Sequence, residues 1–410
     1  MAASTALRGV RVLECTHFIS GPRCGQLLAD HGAEVIKIEP PSGDPARKSP
    51  PMRSGWSLYF AAHNRRKESV SVDLKQDGGR LILRRLIEWA DVLITNYTPG
   101  ASERLGLDFR AASQVNPRIV VVRISAFGLS GTDRNLPGFD GTVQARSGFA
   151  HMVGPEDRPP TVTSVPVLDF LGAVEGAYGA LLGLHQRDQT GQGTEVDVSM
   201  MDAASTVLGY LYAEVIDNGK DPKRTGSRAP YALTGAYQSL DGFLYIAPIG
   251  YPAWKALSEF VGHPEWAAEG AAYLDADARL RDRAIIEDAI ERWTEQLTNA
   301  QVMDACEGAG IPCGVIKSVK DVVADPLLAQ RHMIQPVELG TSGKTVPMPG
   351  AEIKIGAGGE QAARPEDDHP VVPDLGADTE AVLGRLGFSA GQIAQWRSDR
   401  VIFEPDSSVR

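Results

Sequence analysis

Between Val10 and Ile124 short runs rich in Val, Ile and Leu alternate with stretches of helical period, and few architectures accept that order. Val10–Glu14, Glu34–Glu39, Ser69–Leu74, Val92–Thr95 and Ile119–Ile124 read as strands. The segment after Gly21-Pro22 carries Leu27, Leu28 and Ala29 on one helical face before Gly32 stops it, and Gly78 to Ala90 reads as a second helix. Strands separated by helices pair in parallel through crossovers of one hand. The expected fold class is therefore α/β, a large domain with a doubly wound, mostly parallel sheet plus a smaller α/β domain.

A helix from about Phe170 to Arg187, a strand at Thr194–Ser199 and a helix near Met201 to Ile216 continue the pattern. Basic, Gly/Pro-bearing Pro222–Ala232 reads as a linker. With 410 residues there is chain for two or three cores. The expected division is 1–215 for the large domain, 216–232 linker, 233–324 small domain, and 325–410 linker and return to the large domain. The small domain opens on a hairpin at Ala236–Pro248, carries a strong helix at Ile285–Leu297 and ends near Val315. Past Asp325-Pro326, Pro336–Leu339 and Val346–Ile355 read as strands, followed by a helical pair.

Lys+Arg 41 against Asp+Glu 52 gives a net charge of −11, which offers no general attraction to nucleic acid or an anionic membrane surface. The start lacks a basic region followed by an apolar one, so a cytoplasmic location is expected. The weakly polar stretch Phe170–Leu184 contains Glu175 and falls short of the roughly 20 residues of a spanning helix. Cys15, Cys24, Cys306 and Cys313 show no CxxC spacing, and the histidines form no HxH or HExxH, so no metal is expected. Gly340-Thr-Ser-Gly-Lys-Thr345 has Glu338 where a phosphate-binding loop needs its first glycine, and reads as a turn. Ser20 to Gly25 has the wrong spacing for a dinucleotide fingerprint, and no GxSxG elbow is present.

The most informative segment is Val165–Leu184, where Asp169 follows an apolar run and opens a helix rich in Gly and Ala. There it could cap the helix, and the helix amides would favour its ionised form. Around it stand Leu7-Arg-Gly-Val-Arg-Val-Leu-Glu, Gly21-Pro22, Leu28-Ala-Asp-His-Gly-Ala-Glu-Val-Ile-Lys-Ile-Glu-Pro40, Asn64 to Lys67, Val72-Asp-Leu-Lys75, Asp91-Val-Leu-Ile-Thr-Asn-Tyr-Thr-Pro-Gly100 and Arg104-Leu-Gly. Asn116-Pro-Arg-Ile, Arg187 with Thr190-Gly-Gln-Gly193, Val196-Asp-Val-Ser-Met, Asp325-Pro and Leu383-Gly-Arg-Leu-Gly complete the pattern. Together they resemble the class III CoA-transferase family (CaiB/BaiF), which includes formyl-CoA and carnitine CoA-transferases and the α-methylacyl-CoA racemases.

The resemblance implies an enzyme that moves CoA from an acyl-CoA donor to a small carboxylic acid, with Asp169 as the nucleophile. A carboxylate attacks a thioester without losing a proton, forming a mixed anhydride and then an aspartyl-CoA thioester. One thioester replaces another, so no cofactor is implied; the coenzyme A thioester is itself the substrate. Asp140 would be a second catalytic acid that orients groups in the site. His17, Ser20, Val72, Asp73, Leu74, Lys75, Asn96, Tyr97, Thr98 and Arg104 match the positions that bind CoA, with Lys75 and Arg104 meeting phosphate charge. The family further implies an interlocked homodimer.

Departures narrow the substrate. Ile19 stands where formyl-CoA transferases have glutamine, Pro40 where they have arginine, and Ala247–Tyr251 takes the place of a glycine-rich loop. Racemases of the family have Gly-His-Asp where this chain has Gly138-Phe-Asp140, and phenylalanine exchanges no proton. A racemase of the same fold and a catalytically silent acyl-CoA-binding subunit are the alternatives. No arginine or lysine can be assigned to a second substrate carboxylate; Arg23, Arg47 and Arg53 are candidates that could equally be surface charges.

Overall fold

The structure is a computed structural model that describes residues 6–356 and 369–403. Its contacts divide the chain into two compact units, one of Met1–Ser147, Ser164–Gly209 and Pro326–Arg410, the other of Gly148–Thr163 and Tyr210–Asp325.

In the first unit β1 (Arg11–Cys15), β2 (Glu34–Glu39), β3 (Lys67–Val72), β4 (Val92–Thr95), β5 (Val120–Ser125) and β6 (Thr194–Ser199) run parallel, in the spatial order 3-2-1-4-5-6. The short strand Ile402–Phe403 pairs antiparallel with the outer edge of β3. Register aligns Val12 with Val35 and Val92, and Leu13 with Ile36 and Leu93. Successive side chains point to opposite faces, so each row faces a different layer. The first row packs on α1 (Ser20–Asp30) through Leu27 and Leu28. The second packs on α3 (Asp77–Trp89) and α5 (Phe109–Val115) through Ile82, Leu86 and Ala112. Burial on both faces explains why β4 and β5 are nearly continuous apolar runs.

Chain order runs outward from β1 to β3 and then returns to place β4 on the other side of β1. Between β1 and β4 the order reverses, and loops leaving their carboxyl ends part to open a crevice. Helix α2 (Leu58–Asn64) precedes β3, α4 (Pro99–Leu105) follows β4, α6 (Asp140–Arg146) follows β5, and α7 (Val167–Thr190) leads into β6.

Several boundaries differ from the sequence reading. The strand expected at Ser69–Leu74 begins at Lys67 and ends at Val72, because Lys67 is buried in an ion pair described below. The helix expected from Phe170 has 24 residues, starting at Val167, and so is long and apolar enough by length and composition to cross a bilayer, which corrects the expectation that this stretch falls short. Half of its most apolar window is buried, and Ala173, Ala177, Ala180 and Leu184 join the core beneath the sheet. The helix expected at Met201–Ile216 is broken into Met200–Val207 and Gly209–Asn218. The strand expected to reach Ile355 stops at Pro349, where the Gly350 N–H turns back to the Met333 carbonyl.

In the second unit Gly235–Gln238, Phe243–Ile246 and Cys313–Val315 form an antiparallel sheet under helices Tyr251–Phe260, Arg283–Thr294 and Asn299–Gly308, around Leu244, Trp254, Leu257, Ile286 and Val302. Residues 148–163, read in sequence with the large domain, fall in this unit because Arg224 donates to the carbonyls of His151, Pro155 and Arg158.

Candidate active site

The loops after β1 and β4 are stitched together at the point where strand order reverses. The His17 N–H donates to Asn96 Oδ1 at 2.9 Å, and Asn96 Nδ2 donates to the His17 carbonyl at 2.8 Å and to Ser20 Oγ at 3.2 Å. Gly21 permits this approach, since a Cβ there would lie 2.5 Å from Thr16 and 3.0 Å from Asn96. Phe18 holds a φ of 62°, a conformation that costs a non-glycine residue about 1 to 3 kcal/mol, and its N–H donates to Asp44 Oδ1. The His17 ring lies 5.0 Å from both Phe18 and Tyr97, and burial holds its pKa below the ordinary histidine value.

Asp169 occupies the first turn of α7 but is not its cap; that position is Pro166. The amides of that turn are taken by Asp140, whose Oδ2 accepts from the Leu168 N–H at 2.7 Å and the Asp169 N–H at 3.0 Å. Asp140 is buried, and its Oδ1 accepts from Gln144. Among the described residues the Asp169 carboxylate therefore gains no amide of that turn, contrary to the sequence expectation. Burial, then the like charge of Asp140, raises the Asp169 carboxyl to about 7, and a hydrogen bond from Ser20 partly opposes them. Tyr59 stands close enough that burial and the Asp169 charge push its hydroxyl up to about 12.

The remaining sequence-predicted positions lie further along the same edge of the sheet. Val72 is buried at the end of β3, Leu74 packs on the core, and Asp73 Oδ1 accepts from the exposed Lys75 N–H at 3.0 Å. Thr98 precedes α4, and Arg104 is exposed in its last turn. The structure thus gathers His17, Ser20, Asn96, Tyr97, Asp140 and Asp169 around one crevice. It sets Val72–Lys75 two strands away from β1, about 10 Å at ordinary strand spacing.

The sequence reading missed what supports this crevice. Register sets Glu14 beside Lys37, and Lys37 Nζ donates to Glu14 Oε1 at 3.0 Å and pairs with Asp44 Oδ2 at 3.1 Å. Lys67 Nζ pairs with Glu14 Oε2 at 2.7 Å and donates to the Pro22 carbonyl and Asn64 Oδ1. Burial opposes charge on Lys37, but Asp44, Glu14 and Glu39 outweigh it and raise its pKa, whereas burial, reinforced by Lys37, pulls Lys67 down to about 8. The available signal was a set of charges inside strands too apolar to face water, which must therefore pair.

Among the described residues no group of His, Cys, Asp and Glu could hold a metal ion. A family model described as CoA-transferase family III matches residues 7–379. Succinyl-CoA–D-citramalate CoA-transferase of Chloroflexus aurantiacus is 35% identical over 80% of this chain and 82% of its own length. Acetyl-CoA:oxalate CoA-transferase of Acetobacter aceti is 34% identical over 87% of this chain and 91% of its own. The crystal structure of a CAIB/BAIF family protein from Brucella suis superposes with a TM-score of 0.78 at 30% identity, covering 93% of this chain and all of that one.

Proposed function

Because this chain belongs to CoA-transferase family III, we propose that its transfer of CoA from an acyl-CoA to a carboxylic acid runs through a covalent intermediate on Asp169. The observation that carries the proposal is a carboxyl group in the crevice with no cation paired to it among the described residues, its first-turn amides already claimed by Asp140.

In the first step the Asp169 carboxylate attacks the thioester carbonyl, and the C–S bond breaks to give an acyl-aspartyl anhydride and CoA thiolate. The thiolate then attacks the aspartyl carbonyl, releasing the donor acid and leaving an aspartyl-CoA thioester. An acceptor carboxylate attacks that thioester, and the freed thiolate takes the new acyl group, which restores Asp169. A pKa near 7 suits this cycle. The carboxylate is populated at neutral pH, yet it is a better nucleophile than one held down by cations.

His17, Ser20, Asn96 and Tyr97 would line the thioester end of CoA, with Val72–Lys75, Thr98 and Arg104 toward its phosphates. Asp140 acts as a positioning residue. Phe139, at the position a racemase fills with histidine, packs edge-on against Phe18 at 5.4 Å and offers no proton. A homodimer is supported by the stripe of exposed apolar residues on α7, where Val174 and Tyr178 are 49% and 62% exposed beside Leu181 and Leu182.

The test is to supply acyl-CoA without acceptor and treat with hydroxylamine. Conversion of Asp169 to a hydroxamate, located by peptide mass mapping, is expected. Exchange of the substrate α-hydrogen with deuterated water, with no adduct and no transfer, would replace this reading with a racemase.

A further inference from the structure

Resting on the reading that Asp169 carries the acyl group, we propose that Arg23 binds a second carboxylate of the acceptor acid, so that the acids that receive CoA are short dicarboxylic acids. Arg23 follows Ser20 by one turn of α1, which puts their Cβ atoms about 5 to 6 Å apart on one face. The Ser20 hydroxyl is near enough to Asp169 to favour its charged form, and the Arg23 guanidinium carbon lies 5.8 Å from the ring centroid of Phe170, the next residue. The run Ser20–Arg23 therefore addresses the first turn of α7 with a hydroxyl at the carboxylate and a cation one turn further on.

Arg23 is only 8% exposed, and a cation so buried requires an anion. In this structure that anion is Glu352, but the pairing is not the fork an arginine can form. Arg23 Nη2 alone reaches both Glu352 oxygens, at 2.6 and 2.5 Å, while Nε is buried with no partner. The Glu352 side chain is 40% exposed and can move into water, which Arg23 cannot. A substrate carboxylate offers the same chemistry as Glu352 and can add the bond to Nε that completes a bidentate pair.

The surroundings favour a small anion. His63 lies 5.6 Å from Phe170, and burial and the Arg23 charge push it down to about 3, so it is neutral and does not compete for the carboxylate. Tyr59 packs edge-on against His63 at 5.9 Å, so the rings of Tyr59, His63 and Phe170 follow one another toward Arg23. The other two arginines differ. Arg47 already grips Glu39 through Nε and Nη2, at 2.7 and 2.6 Å, and Arg53 is exposed.

The test measures transfer from acetyl-CoA to succinate and to butyrate, acids of equal chain length, with the parent and with Arg23→Gln, Arg23→Lys and Glu352→Gln. The parent should prefer succinate. In Arg23→Gln the succinate-to-butyrate ratio of kcat/KM should fall by about 10- to 100-fold, the range for losing a charge-assisted bond, with Arg23→Lys between. Glu352→Gln should lower the KM for succinate, because a competing carboxylate is gone. A ratio unchanged by the Arg23 variants, a parent preferring butyrate, or Glu352→Gln leaving the succinate KM unchanged or higher would each overturn the assignment. Adduct formation on Asp169 from succinyl-CoA and from acetyl-CoA, each supplied without acceptor, is scored separately as adduct with either donor. Its absence defeats the reading of the nucleophile, whereas an adduct with an unchanged ratio defeats only the role of Arg23.

Discussion

Two groups of buried and half-buried acids meet the same crevice under opposite rules. Beneath the carboxyl ends of β1 and β2, Glu14 is shared between Lys37 and Lys67, Asp44 pairs with Lys37, and Glu39 is gripped by Arg47, which with Lys37 holds its carboxyl down at about 2 against the effect of burial. At the start of α7, Asp140 bonds two backbone amides and Gln144, and Asp169 has the Ser20 hydroxyl with a like charge nearby. Burial is common to both groups; the pairing is not. A carboxylate matched by cations is held in its charged form and fixes geometry, whereas one denied a cation keeps a proton near neutrality and retains the free energy that a nucleophile needs.

The comparison is broken most directly at its reactive end. Asp169→Ala should cut transfer by about 10³-fold or more while circular dichroism stays native, because the paired group below the crevice is untouched. Transfer within tenfold of the parent would remove Asp169 from the covalent role. At the structural end, Glu14→Gln should leave Lys37 and Lys67 short of a shared charge and cost about 3 to 5 kcal/mol in urea unfolding. A loss under about 1 kcal/mol would mean that these pairs behave as surface pairs do. Between the two, Asp140→Asn can still accept an amide but removes the like charge. It should slow turnover by about tenfold with little change in CoA-ester affinity, and move the acidic limb of the rate profile to lower pH. An unmoved limb would show that Asp140 does not act on the charge of Asp169.

Much of the frame was legible in sequence, because a parallel strand buried on both faces, such as β4, is written as an apolar run, and β2, β4 and β6 have the bounds read for them. What escaped depends on residues far apart in the chain. Pro166-Val-Leu read as the end of a strand-like run, yet it opens α7, since Asp140, almost thirty positions earlier, supplies the acceptor for its amides. For the same reason the sequence assigned Asp169 an environment of free amides and an easy negative charge, the reverse of what the fold provides. Lys67 fell outside the run read as β3, which began at Ser69, and only the fold sets Glu14, more than fifty positions earlier, against it. Arg23 could not be told from a surface charge until its burial and its one-sided grip on Glu352 were visible.

The smallest expected effect is on stability, and it follows from the same unpaired carboxyl. Asp169 moves from 3.8 unfolded to about 7 folded, so over that interval the folded chain holds a proton that the unfolded chain has released. The contribution of Asp169 to stability is therefore intact below the lower value, is lost progressively as pH rises through the interval, and stays lost above about 7. Asp169→Asn cannot ionise and still offers an oxygen to Ser20, so it should be more stable than the parent at pH 8, by about 1 to 3 kcal/mol after allowing for partial exposure. At pH 5 only part of the interval has been crossed, and the gain should be smaller. Urea unfolding of the parent and the variant at both values of pH reads the difference directly. An equal gain at both would assign the effect to packing rather than charge, and a loss at pH 8 would mean that ionised Asp169 is stabilised by a partner, which would remove the contrast between the two acidic groups.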